Sequence, residues 1–406
     1  MFPLDEIKKT RLLSINPGIG SSRDEVLPGM LFDEAEAVIT SWDGYRRTPL
    51  IELSGVAREL NLRTIHYKHE GPRFGLGSFK ALGGAYAVLR VIQRTLSKRA
   101  GRLVDIHEIT DGRFADQISE MTIISATDGN HGRSVAWGCN RFGANCRIYI
   151  HAEVSDFRAD AMRELGAAVV RIDGDYDATV ERTRTDAEQN GWMIVSDTSW
   201  PGYSQAPRDV MAGYGVMARE IVREIGAPPT HVFLQGGVGG LAAAVIAVFQ
   251  QEWGNTAPRN IVVEPELAPC LFASAKAHEL TRVKIERETL MAGLSCGEPS
   301  RIAWDVLAEA VHGFMTIPET LVGPAVRLLA NGDCGDTPIL AGESAVAGLI
   351  GLMSGALNPE MRAAIGLDSE ARVLLLGSEG VTDPGVFEAL LANPADSSPH
   401  RDTSPR

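Results

Sequence analysis

The stretch LQGGVGGLAAAV, residues 234–245, joins an apolar run to a helical pattern through a five-residue loop that contains four glycines. The apolar run HVFLQ ahead of the loop is typical of a buried strand, and the alanine-rich segment after it favours a helix. Backbone amides without side chains at the start of a helix form a concave site for an anion. The loop lacks the lysine of a nucleotide-binding P-loop and does not fit GxGxxG, so it predicts a site for a single phosphate. A glycine-rich packing turn is the alternative.

Short β-branched runs alternate with longer helical segments along the rest of the chain. Strands are predicted at 64–68, 121–125, 146–151, 167–172, 231–235, 260–265 and 372–377, and helices at 79–97, 130–142, 156–166, 177–190, 209–226 and 239–253. This alternation predicts an α/β fold with two domains, each with a largely parallel twisted sheet flanked by helices. We expect a discontinuous large domain from residues 1–87 and 208–392, a small domain from 88–207, and a disordered tail at 393–406.

Composition narrows the class of ligand and the location of the protein. With 406 residues the chain can form two domains, and a net charge of -13 without a basic block argues against nucleic-acid binding and favours a small-molecule ligand. The apolar run at 239–248 is too short to cross a bilayer and the N-terminal segment lacks the apolar core of a signal peptide, so we expect a cytoplasmic protein. The five cysteines form no CxxC pair, and His66 and His69 stand without further ligands, so no metal site is predicted.

Two further loops follow predicted strands, where ligands of parallel sheets bind. In SATDGNHGRSVAWG, residues 125–138, Gly129 and Gly132 allow a ligand to approach the backbone, and Asn130 offers both a donor and an acceptor. An Asp/Asn-capped turn is the alternative. In RVLLLGSEG, Ser378 at the end of a strand can donate one hydrogen bond, although serine is common in turns.

Lys80 lies where the glycine-containing loop of RFGLGSFKALGGAYAV, residues 73–88, enters an apolar helix. A cation in the first turn of a helix is unfavourably placed against the helix dipole. An aldehyde that captured the amine as an imine would remove the free ammonium and with it the mismatch. An isolated lysine there would be a solvated surface residue. Taken together with the three loops, Lys80 predicts that the ligand is pyridoxal phosphate, which has an aldehyde, one phosphate and a ring heteroatom.

These segments resemble those of the fold type II pyridoxal-phosphate enzymes, the group of tryptophan synthase β and threonine dehydratase. Within that group the chain is similar to the diaminopropionate ammonia-lyases in RFGLGSFKALGGAYA, ATDGNHGRSVAWG, SDTSWPGY (196–203), VVEP (262–265), MAGLSCGEPS (291–300) and AGES (341–344). The resemblance implies α,β-elimination of 2,3-diaminopropionate, as the D or the L isomer, to pyruvate and two ammonia. It also implies a homodimer.

The resemblance assigns cofactor contacts at the matching positions. It implies that Lys80 holds the cofactor beside Phe79, that Asn130 contacts the phenolic oxygen of the ring, and that Ser378 faces the pyridine nitrogen. A hydroxyl at that place leaves the nitrogen largely unprotonated, which favours prompt elimination over transamination. The phosphate would be bound by the backbone of Gly236, Gly237, Val238, Gly239 and Gly240.

Asp128 and Asp197 are implied to be catalytic together with Lys80. A substrate with a second, cationic amine favours a carboxylate near it. Asp128 could also remove the α-proton of the D isomer while Lys80 removes that of the L isomer. The alternative for each aspartate is a helix or loop cap. The substrate would also meet Ser78, Thr127 and Tyr203.

Several positions depart from the family pattern and leave the substrate open. The family usually has an acidic residue at His69, a serine at Gly71, often an asparagine at Gly77, and commonly an acidic residue at Pro201. A serine/threonine-type dehydratase, or a lyase of another 3-substituted alanine, therefore remains an alternative, as does a non-catalytic protein that binds pyridoxal phosphate or a nucleotide.

Two of the cysteines, Cys270 and Cys296, fall where the resembled family can carry a cysteine pair. Because the cytosol is reducing, the sequence does not decide whether these two cysteines form a disulfide.

Overall fold

A computed structural model of the chain describes residues 3–15, 25–127, 129–174 and 176–392, without the side chains of residues 176 and 177. Asp128 and the predicted tail at 393–406 lie outside the described residues. In chain order the strands are β1 Arg11–Ser14, β2 Leu50–Glu52, β3 Thr64–His69, β4 Thr122–Ala126, β5 Asn145–Ile150, β6 Ala168–Arg171, β7 Met193–Ile194, β8 His231–Gln235, β9 Arg259–Pro265, β10 Gly313–Ile317 and β11 Arg372–Gly377.

The helices enclose these strands. They are α1 Leu4–Ile7, α2 Gly29–Ile39, α3 Ser54–Glu59, α4 Lys80–Ala100, α5 Ile106–Thr110, α6 Ala115–Ser119, α7 Asn130–Phe142, α8 Asp156–Arg163, α9 Tyr176–Asn190, α10 Gln205–Glu224, α11 Gly240–Trp253, α12 Cys270–Ala277, α13 Arg301–Ala310, α14 Val322–Asn331, α15 Ala347–Leu357, α16 Pro359–Ile365 and α17 Pro384–Ala392. The longest, α4, packs against α7 and α10, and α10 packs in turn against α11.

The strands form two sheets. The larger has the order β1-β10-β9-β8-β11-β3-β2 and the smaller the order β6-β5-β4-β7. All pairs in the smaller sheet are parallel, and in the larger sheet only the edge pairs β1–β10 and β2–β3 are antiparallel. The predicted α/β class with two largely parallel sheets is therefore confirmed.

The register of the larger sheet brings its loops to one edge. Leu375 of β11 lies between Phe233 of β8 and Tyr67 of β3. Because the three strands are parallel, their carboxyl ends meet, and the segments that follow Gln235 and Gly377 become neighbours. Central strands such as β8 are buried along their whole length, which explains why they appear in the sequence as unbroken apolar runs.

The predicted strands and helices are present, with ends that differ by a few residues. Strands β1, β2, β7 and β10 and helices α1 to α3, α5, α6 and α12 to α17 were not predicted. Helix α15 shows why: AGLIGLMSGAL is apolar on every side and buried throughout all but its last residue, so no polar face marks its period. The predicted domain limits at 87/88 and 207/208 fall inside α4 and α10, and this division stays a prediction.

Candidate active site

Lys80 is the first residue of α4, and its side chain lies in a cleft between the two sheets. The preceding chain runs antiparallel to the segment after β11, because Phe79 N donates to Ser378 O at 3.0 Å and Gly380 N donates to Gly77 O at 2.8 Å. This pairing holds the first turn of α4 against the end of the large sheet. The Nζ atom of Lys80 lies 2.6 Å from Oδ2 of Asp197, and the two side chains are only 18% and 16% exposed.

Asp197 follows the short strand β7 of the small sheet. Burial alone would raise the pKa of its carboxyl, but the Lys80 ammonium and the His131 ring, whose Nδ1 lies 3.9 Å away, hold that pKa well below its usual range. Asp197 is therefore an anion at every physiological pH in this structure. The small-sheet side of the cleft thus presents a fixed negative charge to the amine on the large-sheet side.

A tight turn fixes the chain beyond Asp197. Trp200 and Tyr203 exchange backbone hydrogen bonds of 3.1 and 2.9 Å, and Gly202 between them has φ +84°. Pro201 at the second position and a positive-φ glycine at the third are the residues that a type II turn requires. The proline that departs from the family pattern therefore suits the conformation of this loop.

The glycine loop after β8 lies on the other wall of the cleft and leads into the N-terminus of α11. Gly239 has φ +95°, in the left-handed region that glycine adopts freely. A Cβ on Gly236 would lie 2.6 Å from Cγ of Glu264, and one on Gly239 would lie 2.8 Å from Cδ1 of Leu307. Side chains are thus excluded from the buried side of the loop, and its amides stand at the positive end of a helix.

Asn130 and the residues after β11 form the third side. Asn130 begins α7, and its Nδ2 donates to Oε2 of Glu379, whose Oε1 accepts from the backbone N–H of Ser344 at 2.9 Å. An amide nitrogen carries two hydrogens, so one donor of Asn130 is left for a ligand. Ser378 is buried beside Glu379.

Together these residues enclose a cleft of about 530 Å³, including space open to solvent. Its lining residues are Phe79, Lys80, Asn130, Asp197, Tyr214, Gln235, Gly237, Val238, Gly239, Gly240, Leu241, Gly293, Leu294, Ser344, Ser378 and Glu379. The loops after β8 and β11 follow the carboxyl ends of parallel strands, and Lys80, Asn130 and Gly240 each start a helix, as is usual for sites in open parallel sheets.

Apart from Tyr203, the predicted site residues fall into three groups. The cleft brings together the predicted residues of the glycine loop, Phe79, Lys80, Asn130, Asp197 and Ser378. Gly236 of that loop lies directly behind the lining. Ser78 and Thr127 are buried next to it: Ser78 pairs with Glu379, and the Thr127 hydroxyl accepts from the N–H groups of residues 129 and 132. Asp128 lies outside the described residues.

Tyr203 is not among the residues that line the cleft. Its hydroxyl donates to Ile194 O and accepts from Ser196 N, both at 3.0 Å. The phenol therefore joins two points of the segment that leads to Asp197, and a substrate would have to compete with both backbone bonds. Its predicted role as a substrate contact stays a prediction.

Several lining residues were not predicted. Gln235 and Glu379 directly adjoin predicted residues, and Gly293, Leu294 and Ser344 lie in the segments MAGLSCGEPS and AGES that carry the family resemblance. Tyr214 lies in the middle of α10, where the sequence gives no sign of a site.

The cleft fits pyridoxal phosphate on evidence of its own. The glycine amides offer a phosphate site, Lys80 offers an amine, and Asn130 and Ser378 offer hydrogen bonds for a ring. Two buried polar atoms in the lining, Oη of Tyr214 and Oε1 of Gln235, have no hydrogen-bond partner among the described residues. Buried polar atoms seldom lack partners, so these two indicate that a polar ligand completes the site.

Arg158 of α8 connects the small sheet to the large one behind Asn130. Its Nη2 lies 2.8 Å from Oε1 of Glu343 and its Nε lies 3.8 Å from Oδ2 of Asp383. Its Cδ would be 3.4 Å from a Cβ on Gly129, so the side chain also supports the loop that leads into α7. Burial and the neighbouring Glu379 raise the pKa of Glu343 to about 8, while Arg158 opposes that rise.

Neither a metal cluster nor a disulfide is found in the described part of the chain. None of the five cysteines, including Cys270 and Cys296 near the glycine loop, forms a disulfide, and no group of metal-ligating side chains occurs among the described residues. No helix among them is long and apolar enough to cross a membrane.

Comparison with known proteins places the site in a family. Residues 41–378 match the pyridoxal-phosphate dependent enzymes. Diaminopropionate ammonia-lyase of Escherichia coli (strain K12) is 36% identical over 347 residues, 84% of this chain and 86% of the relative. The chain belongs to the diaminopropionate ammonia-lyase family of pyridoxal-phosphate dependent enzymes.

Solved structures of the family agree with this fold. The holo form of the Escherichia coli lyase superposes with a TM-score of 0.84 at 32% identity, covering 95% of this chain and 97% of that one. The same lyase in complex with D-serine superposes with a TM-score of 0.80 at 32% identity, again covering 95% and 97%. Pyridoxal phosphate is thus the cofactor for which this cleft is built.

Proposed function

We propose that the chain is a pyridoxal-phosphate-dependent ammonia-lyase that converts 2,3-diaminopropionate and water to pyruvate and two molecules of ammonia. The observation that carries this proposal is the 2.6 Å pair of Lys80 and Asp197, which faces the glycine loop across one cleft. An amine for the cofactor and a carboxylate for a cationic leaving group are the two groups that this elimination needs.

When bound, pyridoxal phosphate supplies an aldehyde for the substrate amine and a conjugated ring that takes up the electron pair released at the α-carbon. Lys80 would be its attachment point and, for the L isomer, the base that removes the α-proton at Nζ. The glycine loop and the free donor of Asn130 would orient it, and the Ser378 hydroxyl would face its ring nitrogen.

Asp197 gives the site its preference for a second amine. Its carboxylate lies beside Lys80, so a β-ammonium that entered the cleft would take the place of the Lys80 ammonium and meet an opposite charge in a poorly solvated place. It would hold that group until the bond to the β-carbon breaks and ammonia leaves. Asp128, on the sequence alone, is the proposed base for the D isomer.

The test is a comparison of substrates in one purified protein. Pyruvate release is measured from L- and D-diaminopropionate, serine and threonine, for the natural chain, Asp197→Asn and, as a surface control, Asp160→Asn. We expect Asp197→Asn to lower kcat/KM for diaminopropionate about 100-fold, and by much less for serine, because one charged contact is worth about 2–3 kcal/mol. An equal loss for both amino acids would contradict the role of Asp197.

Dehydration of a hydroxy amino acid is the second candidate, because the Escherichia coli lyase has been captured with D-serine. A hydroxide leaving group needs no recognition of an ammonium. Consumption of serine or threonine without diaminopropionate would favour this candidate. A chain that bound the cofactor but released no product from any of the four would instead favour the non-catalytic alternative.

Assembly and location remain predictions from the resemblance and the composition. We propose a homodimer in the cytoplasm, to be checked by light scattering of the purified protein and by fractionation of cells that make it.

A further inference from the structure

Tyr214 presents an unused hydrogen-bond donor to the active-site cleft. The residue lies in the middle of α10, is 2% exposed and lines the cleft, yet its hydroxyl has no hydrogen-bond partner among the described residues. The hydroxyl of a buried tyrosine normally has a partner, and leaving it unpaired costs free energy. A ligand in the cleft is the partner that would remove this cost.

The ring lies on the side of the cleft where the glycine loop meets α11. Its Cε2, next to the carbon that bears the hydroxyl, lies 4.0 Å from the point where a Cβ on Gly240 would sit. The aromatic ring of Phe79 lies 4.6 Å from it, centroid to centroid, and the other ring edge fills the space beside Gly83. Packing on these sides fixes the ring near the first residue of α11.

The phenol lies near one charge of each sign, the Lys80 ammonium and the Asp197 carboxylate. Burial raises the pKa of Tyr214 far above its usual range, so the phenol stays a neutral donor. The carboxylate of Asp197, whose charge acts on the phenol, already binds the Lys80 ammonium. The anion that the glycine loop is built to receive is the remaining acceptor.

We propose that the Tyr214 hydroxyl donates a hydrogen bond to the phosphate of pyridoxal phosphate and so adds a side-chain contact to the backbone amides of the glycine loop. Only cofactor binding is involved, so the test does not depend on which amino acid the enzyme consumes.

The experiment titrates the cofactor-free full-length protein with pyridoxal phosphate and with pyridoxal, which lacks the phosphate, and follows the visible absorbance. Tyr214→Phe keeps the ring and removes the hydroxyl. Tyr86→Phe, which removes the hydroxyl of another buried tyrosine, is the matched control. We expect Tyr214→Phe to bind pyridoxal phosphate about 10- to 100-fold more weakly, as for loss of a hydrogen bond to a charged group, and to bind pyridoxal unchanged.

Inorganic phosphate serves as a second probe that needs no imine chemistry. It should raise the melting temperature of the natural chain and of Tyr86→Phe more than that of Tyr214→Phe. Equal affinity of Tyr214→Phe and the natural chain for pyridoxal phosphate would overturn the proposal. So would equal losses for pyridoxal phosphate and pyridoxal, or a raised KM for diaminopropionate with unchanged cofactor affinity, since those results place the hydroxyl against the ring or the substrate.

Discussion

The Nζ atom of Lys80, on the large-sheet side of the cleft, lies 2.6 Å from Oδ2 of Asp197, on the small-sheet side, and both side chains are largely buried. The two residues are separated by 117 positions in sequence and meet because α4 and the segment after β7 approach the same cleft. In the cofactor-free protein this ion pair joins the two sheets across the site. It also holds the Asp197 carboxylate, which the proposed substrate requires, next to Lys80, the proposed attachment point of the cofactor.

The first prediction concerns the stability of the cofactor-free protein. The Lys80 ammonium depresses the pKa of Asp197 below its value in the unfolded chain, so the pair stabilises the fold above about pH 4 and that contribution is lost as the pH falls through the folded pKa. We expect Asp197→Asn to lower the free energy of unfolding by about 2 kcal/mol at pH 7. Urea unfolding at pH 7 measures the difference, with Asp160→Asn as the exposed control. Identical curves for the two variants would show that the pair contributes nothing to stability.

The second prediction concerns Arg158, which pairs with the buried carboxyl of Glu343 across the two sheets. We expect Arg158→Met to destabilise the protein by about 1–3 kcal/mol, because the buried carboxyl of Glu343 then loses the hydrogen bond that Arg158 donates to it. Hydrogen exchange should accelerate around residues 125–135, because the side chain of Arg158 lies beside Gly129 in this segment.

Arg163 on the same helix provides the control for Arg158. It pairs with Asp160 at an exposed place, and surface pairs contribute little. Arg163→Met should therefore leave stability and exchange near those of the natural chain. If the two methionine variants exchange alike around residues 125–135, Arg158 does not order that loop.

The sequence predicted the strands and helices that have a clear apolar pattern, and the loops that have distinctive residues. The runs HVFLQ and RVLLLG are unbroken and apolar, so their strands were found, and the glycine loop after β8 pointed to a phosphate. It could not predict α15, which is buried all round, or β2, whose three residues are too few to show alternation.

The candidate site was predictable where the chemistry lies in neighbouring residues. Lys80, Asn130 and Ser378 each follow a strand or start a helix, whereas Tyr214 enters the cleft from the middle of a helix. Its place depends on the packing of α10 between α4 and α11, and no local pattern records that packing.

The third prediction concerns Glu264, which lies fully buried beneath the glycine loop. Its carboxyl oxygens accept hydrogen bonds from the backbone N–H groups of Leu271 and Phe272 at the start of α12. Burial raises the pKa of Glu264 to about 8, although the two N–H groups oppose the rise. The folded state then binds more protons than the unfolded state between pH 4.5 and 8, so stability falls as the pH rises through this window.

The measurement compares urea unfolding at pH 6 and pH 8 for the natural chain, Glu264→Gln and the exposed control Glu279→Gln. We expect the natural chain and the control to lose up to about 2 kcal/mol more than Glu264→Gln over this range. Glu264→Gln starts from a lower stability, because an amide cannot accept both N–H groups, and the slope with pH is therefore the decisive quantity. Parallel slopes in all three proteins would show that Glu264 is ionised throughout.

The fourth prediction concerns two departures from the family pattern that lie in contact. A Cβ on Gly71 would sit 2.6 Å from Cε1 of His69, closer than real Cβ atoms approach. The imidazole of His69 therefore occupies space that the serine usual in the family would need, and the two departures compensate for each other. We expect Gly71→Ser alone to destabilise the protein by about 1–3 kcal/mol through overpacking.

Replacing both residues tests the coupling. In His69→Asp with Gly71→Ser the smaller side chain makes room for the serine, so the double variant should recover much of the stability that Gly71→Ser loses, and the two changes should be far from additive. Thermal unfolding of the two single variants and the double variant closes the cycle. Additive losses would mean that the His69 ring moves aside freely. The backbone of Gly380, whose Cα lies 3.1 Å from the same Cβ position, would then be the reason that position 71 requires a glycine.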